Sequence, residues 1–346
     1  MIVITGASGL IGQAVSGLVC KNFHSEFKSG KIQFLVSDSA SAYEQDGQKR
    51  LFIKNIPYVV TNLVTGLGLD KLVRSPRLIF HLAANTHTDE SDHTVNDIGT
   101  QNLVRSLEPL GPETHFIFAS SVAVSDNRST PWIPLTEGTR EVEGQASPYT
   151  RSKIRAEQWL IEAARKSGFR LTILRFVTVY GKYPRPNSIF DLMQTMVVKG
   201  SLAVRLNWPG RTSVVHAEDA AEAMVRMAVL PPKAGETQMF IVHAEALTLA
   251  EISETLHTAL DIPYRKVHLP LWVWRFAAEF LRKKSSFESW LPLSVYNIIW
   301  RASMLVDGLF WCQTDLLACV LPEWKPRKLE SCIRDVLVRD TSVPAK

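Results

Sequence analysis

Thr5-Gly6-Ala7-Ser8-Gly9-Leu10-Ile11-Gly12 stands directly behind the apolar run Ile2-Val3-Ile4 and opens a helix-like stretch, Ile11 to Cys20. Its glycines recur at every third position. Gly6 permits a tight strand-to-helix turn, Gly9 lets backbone approach a pyrophosphate, and Gly12 lets the helix pack closely on the sheet. The helix N-terminus adds unsatisfied N–H groups and a favourable dipole for phosphates. A glycine triplet alone is weak evidence, but here it sits between a strand and a helix, as a dinucleotide loop requires. Gly6, Ser8, Gly9, Leu10, Ile11 and Gly12 are therefore candidate cofactor contacts.

Outward from this loop the first 180 or so residues alternate short apolar runs with helical patterns, which reads as a parallel sheet flanked by helices. The strand candidates are Ile2–Thr5, Ile32–Ser37, Tyr58–Asn62, Leu78–Leu82, His115–Ser120 and Leu171–Phe176. Helix candidates include Val95–Leu107 and Tyr149–Lys166, and right-handed crossovers then give a doubly wound α/β sheet. After Gly181 the chain becomes rich in Pro, Gly and isolated aromatics, with one helix at Ile189–Val198. Val214-Val215-His216 and Ala217–Val229 read as a strand and helix returning to the main body, Met239–Val242 as one more strand, and the rest as mostly helical. The expected division is 1–181 plus about 214–246 for the cofactor domain, and about 182–213 plus 247–346 for a smaller, mostly helical C-terminal substrate domain.

The chain has 346 residues, 46% hydrophobic and 21% charged, with a net charge of +5. The basic residues are scattered without interleaved aromatics, which argues against a nucleic-acid partner. The one tight cluster is Arg282-Lys283-Lys284. No apolar run approaches the roughly 18 residues of a membrane span. Cys20, Cys312, Cys319 and Cys332 lack metal or secreted-disulfide spacing, and the first strand begins at the N-terminus with no leader pattern ahead of it. The expectation is a cytoplasmic protein with reduced thiols and no metal site.

The strongest chemical signal is Pro148-Tyr149-Thr150-Arg151-Ser152-Lys153. Tyr149 and Lys153, four apart on one helix, project from the same face. A phenol of pKa near 10 is a poor base at neutral pH, and an ammonium a few ångströms away favours the phenolate. The run Phe116-Ile117-Phe118-Ala119-Ser120-Ser121 ends a strand where open α/β sheets bind ligands. Ser121 is the choice to orient a substrate oxygen toward Tyr149; Ser120 is its competitor, and one of the two caps the turn. Asp38, just past the second strand, is placed to bond ribose hydroxyls and repel a 2′-phosphate, which favours NAD, with NADP as the alternative. Asp38 lies further from the glycines than the usual 20 or so residues. The polar stretch Asn22–Gly30 reads as an inserted loop accounting for the excess.

Together these pieces resemble the extended short-chain dehydrogenase/reductases of the epimerase/dehydratase type. The resemblance runs through TGASGLIG (5–12), HLAA (81–84), NDIGT (96–100), ASS (119–121), SPYTRSK (147–153), LRFVTVYG (174–181) and VVHAEDAAEA (214–223). It implies a Rossmann fold, bound NAD(P), Tyr149 as acid/base with Ser121 and Lys153, and a homodimer built on helices around Thr100–Leu107 and Tyr149–Lys166. It further implies that Leu82, Ala83 and Ala84 run beneath the cofactor and that Asn96 supports the loop under the catalytic strand. Asn62, with Leu63 beside it, would lie near the adenine. Phe176 and Thr178 would line the nicotinamide side, while His216 and Asp219 would be structural.

Two departures bear on the substrate. Nucleotide-sugar members carry Asn where this chain has Thr178, and Arg where it has Thr212, with Arg211 adjacent. Losing both removes donors that a buried diphosphate needs. The C-terminal part is rich in aromatics: Trp272, Trp274, Phe276, Phe280, Trp290, Trp300, Phe310 and Trp311. Such stripes are more often core than binding surface; any that face the cleft suit a sterol-, isoprenoid- or acyl-like substrate. The Arg282–Lys284 cluster beside them suits weak contact with an anionic membrane surface. The leading expectation is therefore an NAD(P)-dependent oxidoreductase interconverting a secondary alcohol and ketone on a mostly apolar small molecule. The alternative is a nucleotide-sugar epimerase or dehydratase. A non-catalytic cofactor-binding regulator is the third reading, and retention of Tyr149 and Lys153 argues against it.

Overall fold

The computed structural model describes residues 1–39, 41–87, 90–125, 132–141, 146–186, 188–285, 306 and 310–337. Strands β1 (Ile2–Thr5), β2 (Ile32–Ser37), β3 (Val59–Thr61), β4 (Leu78–His81), β5 (His115–Ser121), β6 (Arg170–Phe176) and β9 (Thr237–Val242) form one sheet in the order β3-β2-β1-β4-β5-β6-β9. Every neighbouring pair in it is parallel. The chain winds one way from β1 to β3 and the other way from β4 to β9. That reversal leaves a crevice beyond the carboxyl ends of β1 and β4, the usual ligand position of such sheets.

The strands are near-continuous apolar runs because both faces of the sheet are covered. Side chains alternate between faces along each strand. Ile2 and Ile4 join one core cluster with Val15 and Val19 of α1 (Leu10–Asn22) and Ala220 and Met224 of α7 (Ala217–Met227). Val3 joins the opposite cluster with Leu103 and Leu107 of α4 (Thr94–Leu107) and Leu160 and Ala164 of α5 (Pro148–Ser167). The sheet is thus clamped between two helical layers.

Two expectations change. The polar stretch Asn22–Gly30 is no plain loop: α1 runs to Asn22, and a further short helix, α2 (His24–Lys28), follows it. The strand at Val214–His216 does not return to the main sheet. As β8 (Arg211–His216) it pairs in parallel with β7 (Thr178–Tyr180) and antiparallel with β10 (Glu245–Thr248). Short apolar runs carry no label for the sheet they join, so periodicity could not separate β8 from β9. This three-stranded sheet packs with α6 (Ile189–Val198), α8 (Leu249–Ala259) and the helix Leu329–Leu337 around Tyr180, Phe190, Val214 and Ile252. We keep the division into a cofactor part and a substrate part as a proposal, with this small sheet at its seam.

The last pieces are α3 (Ala42–Ile53), α9 (Leu271–Ser285) and the short helix Leu316–Val320. Trp274 and Ala278 of α9 are buried, whereas Leu271, Trp272 and Phe276 are exposed. Trp290 and Trp300 lie outside the described residues. Cys312 and Cys332 are buried, Cys20 is half-buried and Cys319 is exposed; all four are free thiols.

Candidate active site

The turn after β1 is built as its glycines demand. Gly6 has φ +64°, and a Cβ on Gly12 would lie 1.9 Å from the Gly6 carbonyl oxygen. Gly12 therefore lets the first turn of α1 close onto the loop itself. Gly9 caps α1 with no side chain on the free amides, and the helix has no acidic residue in its first turn. Those amides stay available to an anion.

Ser8 is held from an unexpected direction. Its hydroxyl donates to Glu44 of α3, and a Cβ on Gly47 of the same helix would stand 2.3 Å from the Ser8 carbonyl oxygen. A helix packed this closely fixes the outer lip of the loop. The sequence reading missed α3, although Ser41 and Glu44 have the S-x-x-E spacing of a capping box. The Ser41 side chain indeed accepts from the Glu44 N–H.

Past β2, the Asp38 carboxylate accepts from Asn62 Nδ2 at 3.1 and 3.0 Å, while Asn62 Oδ1 accepts from the N–H groups of Val64 and Thr65. The Asn62 amide is thus engaged in orienting Asp38 and closing its own turn, where an adenine contact was expected. Asp38, Asn62 and Leu63 all line the cleft.

The catalytic candidates converge at the ends of β5 and on the first turns of α5. Ser147 caps α5 by accepting from the Thr150 N–H, Pro148 occupies the first turn, and Gly168 ends the helix in the left-handed region. This sets Tyr149 at the helix start, facing the strand end. Ser121 caps the short turn Val122–Val124 by accepting from the Ala123 N–H at 3.2 Å. It also hydrogen-bonds Tyr149. The Ser120 hydroxyl is buried, lines the same cleft and has no partner among the described residues.

Burial pushes the Tyr149 phenol above its ordinary value, while the Ser121 hydrogen bond and the Arg185 guanidinium pull the other way. Lys153 Nζ donates to the Ala119 carbonyl at 2.9 Å and lies 4.8 Å from the Phe118 ring. Burial pulls Lys153 down to about 8, and Glu157 one turn further along α5 opposes that fall. Glu157 is itself fixed by Arg175 in two contacts of 3.1 and 2.6 Å. The sequence singled out Lys153 as the cation that tunes the phenol. The structure places Lys153 Nζ on the Ala119 carbonyl and adds Arg185 as a cation that pulls the phenol down.

A hydrogen-bond relay joins the two halves of the site. Thr5 Oγ1 accepts from the N–H groups of Leu82 and Ala83, so its own proton goes to His81 Nδ1 at 2.7 Å. His81 Nε2–H then donates to Thr100 Oγ1 at 2.8 Å, and Thr100 donates to the Asn96 carbonyl. Asn96 Nδ2 donates to the Asn85 carbonyl and to Ser152 Oγ, whose proton goes to the Tyr149 carbonyl. Only the neutral imidazole satisfies this chain, and burial pushes His81 down to about 3. The relay ties the strand under the glycine turn to the first turn of α5.

All of these groups face one cleft of about 1150 Å³, with Leu82, Ala83, Ala84, Phe176 and Thr178 also in its wall. An apolar part of its wall is formed by Ile189, Met193, Met196, Val204, Trp208 and Leu249. The hydroxyls of Thr178 and Thr212, the two departures from the nucleotide-sugar pattern, bond each other at 3.1 Å on adjacent strands. His216 and Asp219, expected to be structural, are engaged with neighbouring elements. His216 caps α7 by accepting from the Glu218 N–H, and Asp219 accepts from Arg327 Nε at 3.0 Å. Among the described residues no cluster of three or more His, Cys, Asp or Glu could hold a metal ion.

Comparison with known proteins agrees with this architecture. The profile of the NAD dependent epimerase/dehydratase family matches residues 2–242. The chain belongs to that family. It is 23% identical over 292 residues to the UDP-glucose 4-epimerase of Vibrio cholerae, covering 82% of each chain. Among solved structures, the UDP-glucuronic acid 4-epimerase of Bacillus cereus superposes with a TM-score of 0.71 at 16% identity, covering 97% of each chain. The dTDP-glucose 4,6-dehydratase DesIV of Streptomyces venezuelae superposes with a TM-score of 0.70 at 17% identity, covering 97% of this chain and 95% of that one.

The residues present fit the NAD of the family's name. The uncapped amides of α1 suit a pyrophosphate, the orphaned Ser120 hydroxyl awaits a polar partner inside the cleft, and Asp38 suits ribose hydroxyls. Asp38 and Glu44 place two carboxylates in the wall beside the glycine turn, which disfavours the extra phosphate of NADP.

Proposed function

We propose that this chain is an NAD-dependent epimerase or dehydratase acting on the hexose of a nucleotide sugar. The observation that carries the reading is the meeting of Ser121, Tyr149 and Lys153 at the strand ends of the cleft that opens on the glycine turn. The named activities of the relatives support the sugar. When bound, NAD supplies the hydride acceptor for a carbinol carbon and returns the hydride afterwards. Ser121 donates a hydrogen bond that orients the substrate hydroxyl. Tyr149 accepts that hydroxyl's proton; in an epimerisation it gives the proton back to the same oxygen as the hydride returns, whereas in a dehydration that oxygen stays a carbonyl, a neighbouring hydroxyl leaves as water and the hydride returns to the carbon that lost it. Lys153, Ala119 and Glu157 hold the floor of the site, and Asp38 with Glu44 selects the cofactor.

The test is to incubate the NAD-loaded protein with UDP- and dTDP-hexoses and follow products by NMR and reduced cofactor by absorbance. The expected outcome is an inverted or dehydrated sugar with no net reduced cofactor. A second reading, net oxidation of a secondary alcohol on an apolar molecule, is favoured by the apolar part of the cleft wall and the mutually bonded Thr178–Thr212 pair. Accumulating reduced cofactor with hydroxysteroid-like or isoprenoid alcohols, and none of the sugar chemistry, would replace the first reading with the second.

The same proposal includes a cytoplasmic homodimer formed by α4 and α5, which lie side by side on one face of the sheet and expose Ile98 and Ile161. Light scattering at micromolar concentration is expected to give twice the mass of one chain. Ile161→Glu should shift it to monomer, and a monomeric parent protein contradicts the assignment.

A further inference from the structure

The helix α9 and the segment leading into it are strongly basic. Residues 262–285 hold six of the 39 basic residues and one of the 34 acidic ones, which leaves 33 of each for the rest of the molecule. The segment therefore carries a net +5, from Arg265 and Lys266, then Arg275, then Arg282-Lys283-Lys284, against Glu279 alone. Arg265, Lys266 and Arg275 are exposed. The Arg282–Lys284 cluster thus belongs to a longer basic element that includes Arg275.

The same helix has two apolar faces. Trp274 and Ala278 point inward and pack with Leu206, Trp208 and Leu269. Trp274 lies 4.7 Å from Trp208, centroid to centroid, and Trp208 is part of the apolar wall of the cleft. On the outer side Leu271, Trp272 and Phe276 are 69%, 69% and 71% exposed, with Arg275 beside them. Trp272 and Phe276 are four apart and so share a face. Large exposed apolar side chains set among cations on one helix are the signature of a helix that lies in a lipid headgroup layer, where aromatics enter the acyl boundary and Lys and Arg meet anionic lipid. With 15 residues α9 is too short to span a bilayer, and no described helix is long and apolar enough to cross one.

We propose that the outer face of α9 docks this protein on an anionic membrane surface, bringing the apolar part of the cleft wall, one helix thickness behind it, to the lipid interface. The docking goes beyond the catalytic reading and holds whichever substrate the cleft takes.

Co-sedimentation of the full chain with phosphatidylcholine vesicles, with and without phosphatidylglycerol, tests it. Binding is expected on the anionic vesicles, with little on phosphatidylcholine alone, and it should weaken as salt is raised. Trp272→Glu and Phe276→Glu should each lower the bound fraction about tenfold, and Arg275→Glu should lower it too. The parent's thermal shift with NAD, retained in these variants, shows that they remain folded and that the cofactor site is independent of docking. Absence of vesicle binding overturns the proposal. So does equal binding to both vesicle types, binding indifferent to all three variants, or a self-association that Phe276→Glu abolishes while no vesicles bind.

Discussion

At the scale of single residues, the proposed chemistry asks for an acid/base from a phenol that burial disfavours as phenolate. Desolvation raises Tyr149, and two groups counter it: the Ser121 hydroxyl and the Arg185 guanidinium. A hydroxyl-proton acceptor must be deprotonated to work, so activity rises with pH through the Tyr149 titration. Removing a counteracting cation leaves the phenol higher, and the limb moves to more alkaline pH. Arg185→Gln is therefore expected to shift the acidic limb of the kcat profile to higher pH. A profile displaced downward, or left in place, removes Arg185 from this role. Lys153 was legible in the sequence from its spacing to Tyr149. Arg185 was not, because the 182–186 segment has no periodic pattern and only folding brings it to the phenol. Ser121 stands at the strand end where the spacing put it, though it is also the serine that caps the turn, and Gly6 takes the positive φ its turn calls for; the engagement of Asn62 with Asp38 is a tertiary fact that no local spacing announces.

At the scale of elements, the strands of the main sheet stood out because doubly buried parallel strands are unbroken apolar runs. Ile32–Ser37 and the helix Ile189–Val198 match their expected ranges residue for residue. What stayed hidden was α3, whose mean composition is polar and whose role depends on a missing side chain. In an ordinary helix Gly→Ala gains about 1 kcal/mol from propensity. At Gly47 the new Cβ would stand 2.3 Å from the Ser8 carbonyl oxygen, so the sign reverses. Gly47→Ala is expected to push α3 off the glycine turn, lower the melting temperature and weaken NAD binding at least several-fold, although Gly47 touches no phosphate. Calorimetric titration checks it; unchanged affinity with raised stability shows that α3 does not hold the loop.

For the whole molecule, two buried histidines tie stability to pH. Burial drives His81 down to about 3 and His115 down to about 4. Both are depressed below the unfolded value of about 6.5, so between those limits the unfolded chain binds more protons and stability rises with pH. Their contribution is complete above about pH 6.5 and is lost as pH falls toward the folded values, by up to about 1.4 kcal/mol per pH unit for each. Thermal unfolding should accordingly shift to lower temperature from about pH 6.5 to pH 4, and His115→Gln should flatten part of that slope. A melting temperature constant across this window contradicts the neutral assignment of both rings and, with it, the relay from Thr5 to Tyr149.

The account stands on Tyr149 exchanging a substrate proton in a cleft that binds NAD independently of that phenol. The direct measurement is Tyr149→Phe, with NAD affinity by calorimetric titration and turnover on the best substrate of the panel, each beside the parent protein. The prediction is an NAD affinity within about twofold of the parent and turnover lowered at least about a hundredfold, the range of a lost general acid/base. Turnover close to the parent's with the phenol removed would contradict it.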